Sequence, residues 1–242
     1  MGNRASDQKK EASGPLFREA FPCAYFNEGR PAAIEYLFID ERNMDNFHFF
    51  LSKGYRRLGR IFYRNVCGQC SACLPLRVEI ESFKVSRSQE RTLKQNRDVR
   101  IEIASTALTD EKIALYRKYL SGKHGREESG KAGADESILA LHHGYPHIIE
   151  MDYYLNRRLI GVGIVDNAED SLSSNYFYYD TDYAGRRLGV FSILSEISLA
   201  RFMGKKYYYL GFYIAETRKM SYKKQFRPNQ IYENEKWRDF IR

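Results

Sequence analysis

The chain holds four cysteines, and three of them fall in Cys67-Gly-Gln-Cys70-Ser-Ala-Cys73. Two-residue spacers let successive sulfurs turn inward from one loop, and Gly68 and Ser71 keep that loop small. Cys23 is the remaining thiol. Four thiolates suit either tetrahedral zinc or an iron-sulfur cluster, and the close three-cysteine run leans toward the cluster. The N-terminus lacks the apolar stretch of a secretory signal, so a cytoplasmic chain without a disulfide framework is expected. If all four sulfurs bind, no ligand position is left for a substrate, and the site is expected to be structural or regulatory.

A second feature is the run Asp180-Thr-Asp-Tyr-Ala-Gly-Arg-Arg-Leu-Gly189, which leads from an aromatic strand into a helix. A glycine-bearing turn feeding a helix N-terminus is a ready anion site, because the first-turn N–H groups are unpaired. Arg186 and Arg187 add charge there. N-acetyltransferases of the GCN5-related fold hold the coenzyme A pyrophosphate on a similar Arg-x-x-Gly-x turn. His142, His143 and His147 lie near a loop and are expected at the surface. No Ser/His/Asp order demands a covalent intermediate.

The elements that must position these groups follow from periodicity. Residues 33–39 read as a strand, 43–53 as a helix stopped at Gly54, and 77–80 as a strand. Ser86 and Gln89 form a capping box that opens a basic helix to about Asn96. A strand over 99–103 and a helix from Thr109 to Gly122 follow. Residues 121–137 are polar and glycine-rich, and read as a mobile loop or a domain boundary. Beyond them the chain turns β: strands over 148–155, 159–166 and 173–180, a helix over 185–203, a strand over 206–213, and a short basic helix over 217–225. Asn156-Arg157 marks a hairpin. Antiparallel strands, a long crossover helix and a further strand make an α+β class. The expected organisation is a polar tail (1–15), an N-terminal cysteine-bearing domain (16–120) and a C-terminal domain (121–242).

The 242 residues carry 39 Lys and Arg against 31 Asp and Glu, a net charge of +8, and 43% of them are hydrophobic, which excludes disorder over most of the length. No apolar run approaches the ~20 residues of a membrane helix, so no membrane partner is expected. With 19 Tyr and 15 Phe beside that positive charge, the chain suits an anionic partner that has π-faces, namely nucleic acid.

Several tracts together resemble one family, the arginyl-tRNA-protein transferases, which include the arginyltransferases and the bacterial aspartate/glutamate leucyltransferases. Gly54-Tyr-Arg-Arg57, Cys67 to Arg77 and Phe83 to Gln89 resemble its N-terminal part. Gly161 to Asp166, Ser174 to Tyr183, Leu188 to Phe191, Tyr207 to Ile214 and Lys219 to Pro228 resemble its C-terminal part. The resemblance implies transfer of an aminoacyl group from a charged tRNA to the N-terminal amine of proteins beginning with Asp or Glu, which creates a degradation signal. It also implies a GCN5-like (GNAT) transferase fold for the C-terminal domain and, as in eukaryotic members, an iron-sulfur cluster on Cys23, Cys67, Cys70 and Cys73, with zinc as the alternative. Eukaryotic members pair a CxxC with a Cys-Cys; here the first pair is reduced to Cys23-Ala-Tyr-Phe26. The aromatic tracts resemble the arginyl branch and favour arginine. The chain length and the CxxCxxC resemble the leucyl branch, and a coenzyme A acetyltransferase or a non-enzymatic RNA-binding protein are the other readings.

The tRNA ester is already activated, so positioning and oxyanion stabilisation are the main demands on such an enzyme. Asp180, at a strand end, is expected to contact the aminoacyl ammonium or an arginyl side chain, with Asp182 as the second carboxylate. Tyr178 or Tyr179 would line the aminoacyl pocket. Arg77 and Lys219 would take the acceptor's acidic side chain. Arg87, Lys94, Arg186, Lys223 and Lys224 would contact tRNA phosphates.

Overall fold

The computed structural model describes residues 16–26, 29–38, 40, 46–104, 106–124 and 131–240; the polar tail over 1–15 lies outside them. The first unit is a small antiparallel sheet of β1 (Leu16–Pro22), β2 (Pro31–Phe38), β3 (Arg56–Leu58) and β4 (Ile61–Asn65), in the order β1-β2-β4-β3. Helix α1 (Phe47–Ser52) closes it by burying Phe47, Phe50 and Leu51. The Phe50 and Phe62 rings stack with centroids 4.4 Å apart. Tyr209, from the neighbouring sheet, and Tyr145 and Ala168, from loops beside that sheet, join this small core.

The chain passes from β4 through the cysteine loop into β5 (Leu74–Glu79), and β5 belongs to the second, larger sheet. That sheet also holds β6 (Arg100–Ala104), β7 (Ile148–Leu155), β8 (Arg158–Asn167), β9 (Ser171–Tyr179), β10 (Tyr207–Tyr213), β11 (Asn229–Glu233) and β12 (Lys236–Asp239). Its order is β12-β11-β5-β10-β9-β8-β7-β6. The boundary expected at residue 121 therefore runs through one sheet, since β5 pairs with β10 and β6 pairs with β7.

Helix α2 (Arg87–Gln95) has the Ser86/Gln89 capping box read from the sequence. Helix α3 (Asp110–His124) runs past Gly122, where a β-carbon would stand 2.6 Å from Thr181 Oγ1, so glycine serves close packing there instead of ending the helix. Helix α4 (Lys131–His142) begins inside the stretch expected to be loop and takes its last part, residues 131–137. With α3 it covers one face of the sheet, where Leu115, Tyr116, Ile138 and Leu141 meet Val162, Ile164 and Tyr178. Helix α5 (Leu188–Phe202) covers the other, where Leu188, Phe191, Leu194 and Ile197 meet Tyr153, Ile160 and Leu172. Strand β8, covered on both faces, reads as a near-continuous apolar run for that reason. Asn156 and Arg157 both have positive φ (48° and 70°), as a two-residue hairpin turn demands. The remaining helices are short: a 3-10 turn over Thr181–Arg186, α6 (Arg218–Ser221) and a 3-10 turn over Tyr222–Gln225. The antiparallel run β6 to β9, the crossover α5 and the parallel pair β9/β10 give the C-terminal unit a GNAT-like α+β fold.

Candidate active site at the parting of two parallel strands

Strands β9 and β10 pair in parallel only from Tyr207 and Ser171 to Tyr209 and Ser173, and then separate. Separation leaves the carbonyls of Ser174 and Asn175 without a β10 partner. Arg56, from β3, supplies it: Nη2 donates to Ser174 O at 2.7 Å and to Asn175 O at 2.9 Å. On the other side of the gap β10 bulges between Tyr209 and Gly211. Gly211 has φ +80°, and a β-carbon there would overlap the Arg56 guanidinium. Glycine is thus required twice, by backbone conformation and by the arginine lying against it.

Other polar groups converge on the same gap. Lys223 is half-buried, and its Nζ donates to Phe212 O at 3.0 Å. Burial, with the Arg56 charge nearby, brings its ammonium down to about 7. Glu196 of α5 is fully buried and accepts from Ser192 Oγ at 2.6 Å and Tyr208 Oη at 2.8 Å. Burial lifts its carboxyl to about 7 against the pull of those donors and of Arg56. The Tyr222 phenol, raised to about 12 by burial, also feels Glu196 and Tyr179. Tyr179 and Tyr119 bring their rings to 5.2 Å. Tyrosine rings, a carboxyl and two cations are therefore drawn together where the strands part.

Asp180 caps the 3-10 turn just beyond β9 and is 1% exposed. Its Oδ2 accepts from Arg158 at 2.7 Å; its Oδ1 lies 2.5 Å from Lys118 Nζ and accepts from Asp182 N at 3.1 Å. Burial alone would raise this carboxyl, but those partners outweigh it and hold it below the usual carboxylate range. Asp182 shares Lys118 at 2.5 Å. Tyr178 is fully buried, edge-on to Tyr116 and 3.2 Å from His142 Nε2, so its side chain is a core element. His142, expected at the surface, is buried and pairs with Glu150 at 2.7 Å. Arg77 is enclosed between the rings of Tyr207 (3.8 Å) and Trp237 (4.2 Å), with Nε donating to Gln230 at 2.9 Å. Among the tRNA candidates, Arg87, Lys94 and Lys224 are exposed, as is Lys219, while Arg186 pairs with Asp98 at 2.7 Å. Arg56, Lys118, Arg158 and Glu196 went unassigned in the sequence. Signals exist for two of them: a glycine inside the aromatic strand 207–213 marks the close approach of Arg56, and Glu196 is the one carboxylate of the largely apolar helix 188–202, whereas no local pattern marks Lys118 or Arg158.

The four cysteines line one cavity of about 280 Å³, together with Arg30, Arg64 and Phe212. Burial pushes the Cys73 thiol up to about 12, and Cys67, Cys23 and Cys70 add to the shift. Ala33 N donates to Cys67 Sγ at 3.4 Å. The chemistry of this donor set fits a Cys₄ group, and Cys23, Cys67, Cys70 and Cys73 would hold it. Among the described residues, however, no three His, Cys, Asp or Glu side chains stand close enough to hold a metal ion as they are.

Two family models match the chain: "Arginine-tRNA-protein transferase, N terminus" over residues 21–91, and its C terminus over residues 111–233. Aspartate/glutamate leucyltransferase of Saccharophagus degradans is 36% identical over 225 residues, covering 91% of this chain and 94% of the relative. The protein of the same name from Shewanella oneidensis is 39% identical, covering 90% and 91%. These names carry leucine, against the arginine favoured from the aromatic tracts. Of solved structures, FemX aligns with a TM-score of 0.53 at 10% identity, covering 87% of this chain and 72% of that one, which is a likeness of fold. With both halves matched and relatives this similar along nearly its whole length, the chain belongs to the arginine-tRNA-protein transferase family.

Proposed function

We propose that the chain transfers a leucyl group from leucyl-tRNA to the N-terminal amine of proteins that begin with Asp or Glu. The observation that carries this reading is the similarity, over about nine-tenths of both chains, to relatives named for that activity. One feature of the site supports leucine over arginine. The buried carboxylate suited to an arginyl side chain, Asp180, already has Lys118 and Arg158 as partners. The rings of Tyr119, Tyr179 and Tyr222 suit an apolar aminoacyl side chain instead.

The reaction is aminolysis of an ester. The acceptor's neutral α-amine attacks the ester carbonyl, the C–N bond forms and the bond to the ribose oxygen breaks. The proton lost by nitrogen ends on that oxygen. The protein's share is to hold amine and ester in line and to set charge around the oxyanion. The phosphates of the tRNA suit the exposed Arg87, Lys94 and Lys224. We further propose an iron-sulfur cluster, with zinc as the alternative, on the four cysteines, where a bound group would tie β4 to β5. No helix among the described residues is long and apolar enough to cross a membrane, and we place the activity in the cytoplasm.

The test is to incubate the purified protein, kept anaerobic, with peptides starting in Asp, Glu, Cys or Ala and either leucyl-tRNA or arginyl-tRNA, and to read peptide mass. Leucine added to Asp and Glu peptides is the expected result. Arginine added instead would overturn the leucyl assignment, and no addition with intact tRNA binding would replace transfer by binding.

A further inference from the structure

We infer that Arg56 and Lys223 form the subsite for the side-chain carboxylate of the acceptor's first residue; this rests on the acceptor class proposed above. Arg56 Nη2 is committed to the Ser174 and Asn175 carbonyls, whereas Nε and Nη1 make no hydrogen bond among the described residues. The guanidinium lies against Gly211, and Lys223 Nζ bonds the carbonyl of Phe212, the next residue of β10. Two cations thus stand on consecutive residues where β10 has left β9.

Among the described residues no carboxylate is ion-paired with either cation. Glu196, the acidic group within electrostatic reach of Arg56, is already engaged by Ser192 and Tyr208. Burial and the Arg56 charge both disfavour the charged Lys223, drawing it to about 7. Like charges held together in a half-buried place are unfavourable until an anion joins them. A single carboxylate accepts from both and restores the balance. The same positive field disfavours protonation of the acceptor's α-amine, which keeps that amine in its nucleophilic form. An RNA phosphate fits less well, because the basic groups offered at the surface, such as Arg87, Lys94 and Lys224, are exposed while this pair is set between strands.

The experiment compares the full chain with Lys223→Met and Lys223→Arg. Labelled peptides that begin with Asp, Asn or Ala and are otherwise identical are titrated without tRNA, and also used as acceptors at saturating leucyl-tRNA. We expect the wild type to bind the Asp peptide about tenfold or more tighter than the Asn peptide. Lys223→Met should erase that preference and raise KM for the Asp peptide with leucyl-tRNA affinity unchanged, and Lys223→Arg should keep it. Equal binding of Asp and Asn peptides by the wild type overturns the subsite, and this arm stands even if Lys223→Met fails to fold. So does a folded Lys223→Met that keeps the preference, or one that loses only leucyl-tRNA affinity, which would give the cations to an RNA phosphate. The binding arm needs no transfer, so failure of the leucyl reaction with Asp selectivity intact refutes the activity and not the subsite.

Discussion

Arg57 and Asp166 form an ion pair with both side chains removed from water. The guanidinium Nη2 stands 2.6 Å from Asp166 Oδ1, with side-chain exposures of 0% and 1%. Arg57 Nε also donates to that oxygen, and Asn175 donates to the other carboxylate oxygen. Arg56 and Arg57 thus pin β3 to the large sheet, one through β9 carbonyls and one through a β8 carboxylate.

Breaking this pair from one side leaves a buried charge without a partner. Asp166→Asn or Arg57→Met should each lower unfolding free energy by about 3–5 kcal/mol. The double variant Arg57→Met/Asp166→Leu should lose less than either single change, because no orphaned charge remains. Urea denaturation of the three variants checks the order.

Gly211→Ala should destabilise by about 2 kcal/mol or more, from the positive φ and from overlap with the Arg56 guanidinium. Shortening the arginine as well, in Gly211→Ala/Arg56→Ser, should restore less than it would without the φ penalty. A thermodynamic cycle of the two changes measures the coupling.

Glu196 makes stability depend on pH in a set direction. Burial raises its carboxyl to about 7 from an ordinary 4.5, so the folded state binds the proton more tightly than the unfolded one. The resulting stabilisation is complete below 4.5 and is lost as pH rises through about 7, a change on the order of 3 kcal/mol. Burial sets the upward shift, and hydrogen bonds from Ser192, Tyr208 and Ser174 with the Arg56 charge oppose it. Glu196→Gln should flatten the decline between pH 5 and 8, as read by urea unfolding at each pH.

Asp180→Ala should reduce transfer by about 100-fold while aminoacyl-tRNA binding survives, because the carboxylate sets the positions of Lys118 and Arg158 beside the end of β9. Unchanged turnover in a folded variant would remove Asp180 from the site.

Changing Cys67, Cys70 or Cys73 to Ser should release bound iron or zinc, measured by elemental analysis of anaerobically purified protein. Cys23→Ser tests the fourth position separately, and full metal retention there would exclude it.

The repeating elements were readable because their signals are local. The Ser86/Gln89 box starts α2, the Asn156-Arg157 turn joins β7 to β8, and apolar periodicity marks β9 and α5. Short elements such as β1, β3 and β11 were not readable, because they are held by partners distant in the chain. Residues 131–137 looked like loop from their polar, glycine-rich composition, yet α4 begins at Lys131, its later turns packed on α3 and β8. Composition alone cannot anticipate a tertiary surface that covers a weak helix.

The cysteine run, the basic aromatic character, the family tracts and most of the strands were present in the order of residues, since each depends on neighbours within a few positions. The site depends on distant positions. Arg56 reaches Ser174, Arg57 reaches Asp166 and Lys118 reaches Asp180 only after the first sheet docks on the second and α3 lies across β9. Burial then decides which charges are paired, which proton Glu196 keeps and where Lys223 stands. Those outcomes follow from desolvation and from contacts across the fold, which no local pattern encodes.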